Sequence, residues 1–159
     1  MLQPADTVVV RPAGPDDEEP VRAFLAGLSL RTCSMRFFAG VTRPSASMVR
    51  SLLALDGGRD ALLAVHAVTG QVVGHAMSYR YAGTSQVEIA VVVADEWQGR
   101  GHGSRLVGVL LARAVAEGAE TVGMDVLGDN RKVLSMIRKR WPEATARAVQ
   151  GTVEIVAAL

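Results

Sequence analysis

Cysteine is nearly absent from this sequence, and its scarcity excludes two kinds of site. Cys33 is the only cysteine among 159 residues, so the chain cannot form an internal disulfide or a thiolate metal cluster. No cluster of histidine and cysteine has the spacing of metal ligands, and we therefore expect no bound metal. A single cysteine is typical of a reducing compartment, so we expect the protein to be cytoplasmic.

A strong net charge and a long apolar run are missing as well. The 17 Lys and Arg residues stand against 16 Asp and Glu residues, which leaves a formal net charge of +1. That charge is too small for the electrostatic affinity of a dedicated nucleic-acid binder. No apolar run approaches the roughly 18 residues that span a bilayer, and the N-terminus lacks the pattern of a secretory signal. We therefore expect neither nucleic acid nor membrane as a partner.

The composition that remains is that of one folded domain. Hydrophobic residues make up 49% and charged residues 21%, so we expect a single domain over residues 1–159. Apolar, β-rich runs predict strands at 7–11, 61–68, 72–81, 87–93 and 121–127, with one or two more in 145–159. Helical periodicity predicts helices at 16–28, 45–55, 104–117 and 130–141. The order predicts an α/β (α+β) fold with a mixed, mostly antiparallel twisted sheet of six to seven strands and about four helices on both faces.

A glycine-rich loop carries the densest chemical signal. The segment QGRGHGS at 98–104 follows the strand at 87–93 and leads into a helix. Glycines let a ligand approach the backbone, and the positive end of the helix favours a phosphate. A Walker loop needs a Gly-Lys pair and a dinucleotide loop needs G-x-G-x-x-G, and neither pattern is present. The loop therefore predicts a diphosphate cradle that is neither an ATP nor an NAD site.

The spacing of this loop, Q-x-x-G-x-G, resembles the acetyl-CoA loop of the GNAT N-acetyltransferase superfamily. The resemblance implies the GNAT fold, acetyl-CoA as the cosubstrate, and pyrophosphate binding by the loop. The residues that it assigns to the loop are Gln98, Gly99, Arg100, Gly101, His102, Gly103 and Ser104. It also implies that the backbone of Val91, Val92 and Val93 binds the pantetheine arm and that Asn130 lies near that arm.

Two further segments are similar to the catalytic domain of bacterial Pat-type protein lysine acetyltransferases. They are LRTCSMRFF at 30–38 and QVEIAVVVADEWQGRG at 86–101. This similarity implies a lysine-bearing protein substrate, such as an acyl-CoA synthetase. Arg36, Phe37 and Phe38 fall in the segment that lines the acceptor groove of GNAT folds. A homodimer formed through a closing strand is an expectation by analogy alone.

Glu88 is the best candidate for the general base. It is the only acid in an otherwise apolar strand, and strand alternation predicts that it shares a face with Ala90 and Val92. A lysine amine with a pKa near 10.4 must lose a proton before it attacks a thioester, and a buried carboxylate is a stronger base than an exposed one. Glu88 also coincides with the glutamate that Pat-type enzymes use as base. The alternative is a solvated strand face on which Glu88 pairs with an arginine.

The general acid is open. Many GNAT enzymes have a tyrosine seven residues after the helix-opening asparagine, but that position here is Ile137. Cys33, Tyr79 and Tyr81 stay possible donors, although packing is the commoner role for each, and the thiolate can instead take a proton from water.

Two other functions compete with protein lysine acetylation. One is acetylation of a small amine, because the sequence does not measure the acceptor groove. The other is a non-catalytic acyl-CoA-binding sensor, which would keep the loop at 98–103 but would not need Glu88.

Overall fold

Seven strands and five helices make up the part of the chain that the structure, a computed structural model, describes, namely residues 7–38, 44–53 and 57–159. The strands are β1 (Val8–Pro12), β2 (Arg59–His66), β3 (Val72–Arg80), β4 (Gln86–Val93), β5 (Thr121–Leu127), β6 (Thr145–Val149) and β7 (Thr152–Ala158). The helices are α1 (Glu18–Gly27), α2 (Leu30–Phe37), α3 (Ala46–Leu53), α4 (His102–Ala116) and α5 (Arg131–Arg140). None of the helices in these ranges has both the length and the apolar character that crossing a membrane requires.

The predicted mixed sheet is confirmed, but the helices number five instead of about four because α2 was not predicted. Its first turn is capped by Ser29, whose hydroxyl accepts a hydrogen bond from the Thr32 N–H at 3.1 Å. Serine is a preferred N-cap residue, so this signal was present in the sequence. Ser45, the first residue of the helix predicted at 45–55, caps α3, since its hydroxyl accepts from the Met48 N–H at 3.0 Å. Leu55, predicted on the same helix, lies outside the described residues.

The sheet has the strand order β1-β2-β3-β4-β5-β7-β6. Every neighbouring pair is antiparallel except β4 and β5, which are parallel and joined through α4. Only residues Gln86–Glu88 of β4 pair with β5, and their partners are Thr121–Gly123. The two central strands therefore separate at their carboxyl ends, and we call this opening the fork.

The two faces of β4 pack against different helices. Val92 belongs to the core cluster that includes α1 and α3 residues, whereas Val91 and Val93 pack against the cluster that contains Leu106 of α4. The near-continuous Val and Ile run predicts burial on both faces, and this is only partly right because Val87 and Val92 alone are buried within β4. The fork leaves the other residues of the strand half-buried.

The close approach of α4 to the sheet depends on Gly74 of β3. A Cβ at Gly74 would lie 2.9 Å from Cδ1 of Leu106 and 3.3 Å from Cβ of Ala64. Leu106 is fully buried, so the helix has no room to yield, and Gly74→Ala should lower the free energy of unfolding by about 1–2 kcal/mol. Urea denaturation measures this change.

Gly108→Ala is the matched control because an added Cβ would meet no atom within 4 Å. Gly108 lies inside α4, where alanine is the better helix former, so this variant should gain up to about 1 kcal/mol. Equal stability of Gly74→Ala and the parent protein would contradict the packing argument.

Candidate functional site

The fork exposes backbone groups of β4 to the space that β5 leaves. The Ala94 N–H donates to the Val73 carbonyl of β3 at 2.8 Å. Because consecutive residues of a strand direct their N–H and C=O groups to opposite edges, the backbone groups of Val91 and Val93 face the fork and those of Val92 face β3. The Val93 carbonyl already accepts a hydrogen bond from the side-chain amide of Gln98 at 2.9 Å. The groups left to bind a ligand in the fork are therefore the N–H and C=O of Val91 and the N–H of Val93.

The loop after β4 forms an open concavity in front of α4. Gly99 and Gly101 have φ angles of 75° and 87°, which glycine adopts without strain. A Cβ at either position would meet no protein atom within 4 Å. The first helical turn starts at His102, and no side chain of the described residues caps it. Its free N–H groups and the positive end of a 15-residue helix suit a phosphate.

Positive and aromatic side chains surround the first turn of α4. The Arg100 guanidinium lies 4.9 Å from the centre of the Trp97 ring, and the His102 ring centre lies 5.8 Å from that of Trp97. Burial lowers the pKa of His102, and the charges of Arg100 and Arg105 lower it further. The His102 ring is therefore neutral at neutral pH, so the ionic charge beside the loop comes from arginine. Gly103 and Ser104 complete the first turn.

Asp95 links the loop to the beginning of α2. Its carboxylate accepts hydrogen bonds from the Ser29 N–H at 3.0 Å, the Ser29 hydroxyl at 2.7 Å and the Thr32 hydroxyl at 3.0 Å. Gln98 also donates to the Thr32 hydroxyl at 3.4 Å. Burial raises the pKa of Asp95, but these hydrogen bonds outweigh it and hold the pKa below its ordinary value. The network holds α2 against the loop.

The lowered pKa of Asp95 predicts a pH-dependent contribution to stability. The contribution is present above the ordinary carboxyl pKa near 4 and is lost as the pH falls through the lower folded-state value. At pH 7, Asp95→Asn should cost about 0.5–1 kcal/mol, a modest amount because the group is largely exposed to water. The difference from the parent protein should shrink at pH 3, and thermal unfolding at both pH values measures it.

Asp129→Asn, at an exposed aspartate in the turn before α5, is the control and should change stability little at either pH. An Asp95→Asn deficit of the same size at pH 3 and pH 7 would show that the carboxylate charge is not what holds α2.

Asn130 lies at the carboxyl end of β5, immediately before α5, as predicted. Carboxyl ends of parallel strands meet at one edge of a sheet, so Asn130 lies at the same edge as the glycine loop. Its backbone N–H donates to the Leu127 carbonyl at 2.9 Å and its carbonyl accepts from Leu134 at 3.1 Å. Its side chain accepts no capping hydrogen bond from the backbone N–H groups of α5. Ile137 is buried in the core, so this position supplies no acid.

A cleft of about 570 Å³ lies over the sheet on the face that carries Glu88. Tyr79, Glu88 and Gly123 form one row across β3, β4 and β5 in the observed register. Arg36 and Phe38 at the end of α2 also line the cleft. The other lining residues are Tyr81, Gln86, Ile89, Ala90, Met124, Asp125, Glu154, Ile155 and Val156.

The three residues predicted to line the acceptor groove, Arg36, Phe37 and Phe38, do not all lie on the same side of α2. Arg36 and Phe38 line the cleft with Glu88, whereas Phe37 packs against the core cluster beneath the helix. Phe38 ends α2 with a left-handed φ of 60° and is exposed. Burial lowers the pKa of Arg36 to about 10, so the guanidinium stays charged at neutral pH.

Glu88 is half-buried beside the point where the fork opens. Its Oε1 accepts a hydrogen bond from the Gln86 amide at 2.9 Å. It forms no ion pair with any described residue, which argues against the alternative of a solvated arginine pair. Gln86 and Gly123, which surround this carboxylate, were not predicted. The signal for Gln86 was its position two residues before Glu88, on the same face of the strand.

Acidic side chains predominate in the cleft. Asp125 of β5 and Glu154 of β7 are directly opposite each other, and both line the cleft with Glu88. Like charges on facing strand positions repel, so a cationic molecule between them would be favoured. Glu154 is partly neutralised by Arg147 at 3.3 Å. The cleft therefore suits a positively charged acceptor.

The other titratable candidates lie elsewhere or serve packing. His75 is fully buried, its Nε2 lies 2.9 Å from the Leu52 carbonyl, and burial lowers its pKa to about 4. Cys33 is buried in the core. Tyr79 and Tyr81 do line the cleft and pack edge to face with ring centres 4.6 Å apart. Among the described residues, no three His, Cys, Asp or Glu side chains form a group that would hold a metal ion.

Comparisons with known proteins identify the family and the fold. The model of the acetyltransferase (GNAT) family matches residues 31–140. The chain is 27% identical over 151 residues to the acetyltransferase Pat of Mycolicibacterium smegmatis. This alignment covers 92% of the present chain and 45% of that protein. The chain thus spans less than half the length of this relative.

Two solved structures are similar in fold. The GNAT domain of S. lividans PAT superimposes with a TM-score of 0.85 at 27% identity, covering 94% of this chain and 89% of that one. A cAMP-binding acyltransferase from Mycobacterium smegmatis has a TM-score of 0.65 at 24% identity, covering 99% of this chain and 45% of that one.

Proposed function

The chain belongs to the acetyltransferase (GNAT) family and is an N-acetyltransferase, and from this premise we propose that it acetylates lysine side chains of proteins. In this proposal the lysine amine attacks acetyl-CoA directly, without an acetylated enzyme, and Glu88 is the general base. The observation that carries the proposal is the position of the Glu88 carboxylate, in the acidic cleft and beside the fork.

The family's cosubstrate fits the residues around the fork. We assign the pyrophosphate to the N–H groups of the loop at 98–104, where an added Cβ at Gly99 or Gly101 would project into open space. The fork-facing backbone groups of Val91 and Val93 are assigned to the pantetheine arm, and Asn130 is at the same edge. When bound, acetyl-CoA supplies a thioester, which is reactive enough to be attacked by a neutral amine.

The proposed reaction needs two contributions from the chain. Glu88 accepts a proton from the lysine ammonium and leaves a neutral amine, because an amine with a pKa near 10.4 is almost wholly protonated at neutral pH. The Val91 N–H donates to the carbonyl oxygen, on which negative charge develops as the C–N bond forms. The C–S bond then breaks, the attacking nitrogen releases its second proton to water, and the departing thiolate takes a proton from water or from Tyr79 or Tyr81, which line the cleft.

The acceptor is proposed to be a lysine on a protein surface. The carboxylates of Glu88, Asp125 and Glu154 favour a cationic group, and the relatives named Pat support the assignment. An acyl-CoA synthetase is the kind of partner that the resemblance suggests. A polyamine also carries several positive charges, so it is the competing small-molecule acceptor.

A competition assay tests this proposal. The purified protein is incubated with radiolabelled acetyl-CoA, chemically deacetylated cytosolic protein, and a pool of free amino acids and polyamines. We expect the label to appear on protein lysines. Label on the small amines alone would move the function to the small-molecule class, and no label from a protein that binds CoA would favour a sensor.

A further inference from the structure

The side chain of Gln86 holds the Glu88 carboxylate from one side. Its Nε2 donates to Oε1 of Glu88 at 2.9 Å, and its Oε1 accepts from the Thr121 hydroxyl at 3.4 Å. The Thr121 hydroxyl donates to the oxygen end of the amide, so the nitrogen end is the one that faces the carboxylate. Gln86 and Thr121 are also paired in the register of β4 and β5, which fixes the amide in place.

Gly123 provides the room that this arrangement needs. It is opposite Glu88 in the last pair that β4 and β5 form before the fork. A Cβ at Gly123 would lie 2.8 Å from Cδ of Glu88 and 2.8 Å from Nε2 of Gln86. The carboxylate and the amide thus lie above Gly123, in the space that any other side chain would fill.

We infer that Gln86 is a positioning residue that holds the Glu88 carboxylate at the opening of the fork. The absence of a side chain at Gly123 leaves the space that the carboxylate occupies. The inference rests on the proposed function of Glu88. Gln86 occupies Oε1 only, and no described residue donates to Oε2, so Oε2 is the oxygen that takes the amine proton.

The effect of Gln86 is separable from that of other charges. The remaining titratable groups that line the cleft are Arg36 on α2, Tyr79 and Tyr81 on and after β3, Asp125 on β5 and Glu154 on β7. All of them stay in place when Gln86 is changed. A change in the turnover of a Gln86 variant therefore reports the lost hydrogen bond to Glu88.

The test compares kcat for acetyl transfer to deacetylated protein with the KM for acetyl-CoA. We expect Gln86→Leu to lower kcat by about tenfold and to leave the KM for acetyl-CoA within about twofold, because the carboxylate is still present but is no longer held in place. Gln86→Glu keeps the shape of the side chain but loses the donor, and it should lower kcat at least as much. In the Glu88→Gln background, Gln86→Leu should cause no further loss, because a positioning residue acts only through the residue that it positions.

The control is Gln71→Leu, at an exposed glutamine in the turn between β2 and β3, which should leave kcat unchanged. Wild-type kcat in both folded Gln86 variants, or an equal further loss in the Glu88→Gln background, would overturn the inference. Acetyl transfer by Glu88→Gln separates the two ideas. If that variant keeps wild-type turnover, the proposed function is wrong; if it loses turnover while the Gln86 variants keep that of the parent, only the positioning role fails.

Discussion

Glu88→Gln should lower kcat for acetyl transfer by about 100- to 1,000-fold at pH 7 while the Kd for acetyl-CoA stays within about twofold. Glutamine has nearly the shape of glutamate, so the cleft and the fork keep their form, but it cannot take a proton. The defect should shrink as the pH approaches the amine pKa near 10.4, since the lysine then loses its proton to water. Stopped assays over pH 6.5 to 9.5 with isothermal titration of CoA measure both quantities.

Glu117→Gln is the control for this prediction because Glu117 is an exposed acid at the end of α4, away from the cleft. Its turnover should equal that of the parent protein. Wild-type turnover by Glu88→Gln would remove Glu88 as the base. A loss of CoA affinity as large as the loss of turnover in a folded variant would assign Glu88 to binding instead.

Gly101→Val should weaken CoA binding by about 100-fold or more. The side chain would extend from the loop into the space assigned to the pyrophosphate, where no protein atom lies within 4 Å of an added Cβ. Valine is also strained at the φ of 87° found there. Equilibrium binding of CoA, followed by titration calorimetry, measures the loss.

Gly83→Val separates strain from obstruction. Gly83 has a similar φ of 81° and an equally open Cβ position, but it lies in the turn between β3 and β4 at the other end of β4. Both variants should lose about 1–2 kcal/mol of stability, and only Gly101→Val should lose CoA affinity. Equal affinity in the two variants would refute the loop assignment.

The glycine loop and the candidate base were predictable because their signals are local. The spacing of Gly99 and Gly101 follows from the left-handed φ angles that the loop needs. Glu88 stands out as the one acid in an apolar strand, and an alternating strand places its side chain without knowledge of the partner strands. The ends of β5 are those predicted, and β3 begins where predicted but ends one residue earlier.

The surroundings of Glu88 were not predictable because they depend on contacts between distant segments. Gly123 is 35 residues away along the chain and meets Glu88 only through the parallel pairing of β4 and β5. Nothing in the sequence of either strand indicates the residue at which this pairing stops and the fork begins. The start of helix α2 has a local signal in Ser29 that was overlooked, whereas its attachment to Asp95, which lies 66 residues after Ser29, has none. Phe37 packs against the core and Phe38 lines the cleft because the helix ends between them.

The central claim is that the protein acetylates protein lysines with Glu88 as the general base, and the most direct test of it is a mass-spectrometric survey of acetylated lysines. Deacetylated host lysate is incubated with acetyl-CoA and with either the parent protein or Glu88→Gln, and the acetylated sites are compared. The account predicts a set of protein lysines that the parent protein acetylates and Glu88→Gln does not. The same sites appearing with both proteins, or no site appearing with a parent protein that binds CoA, would contradict it.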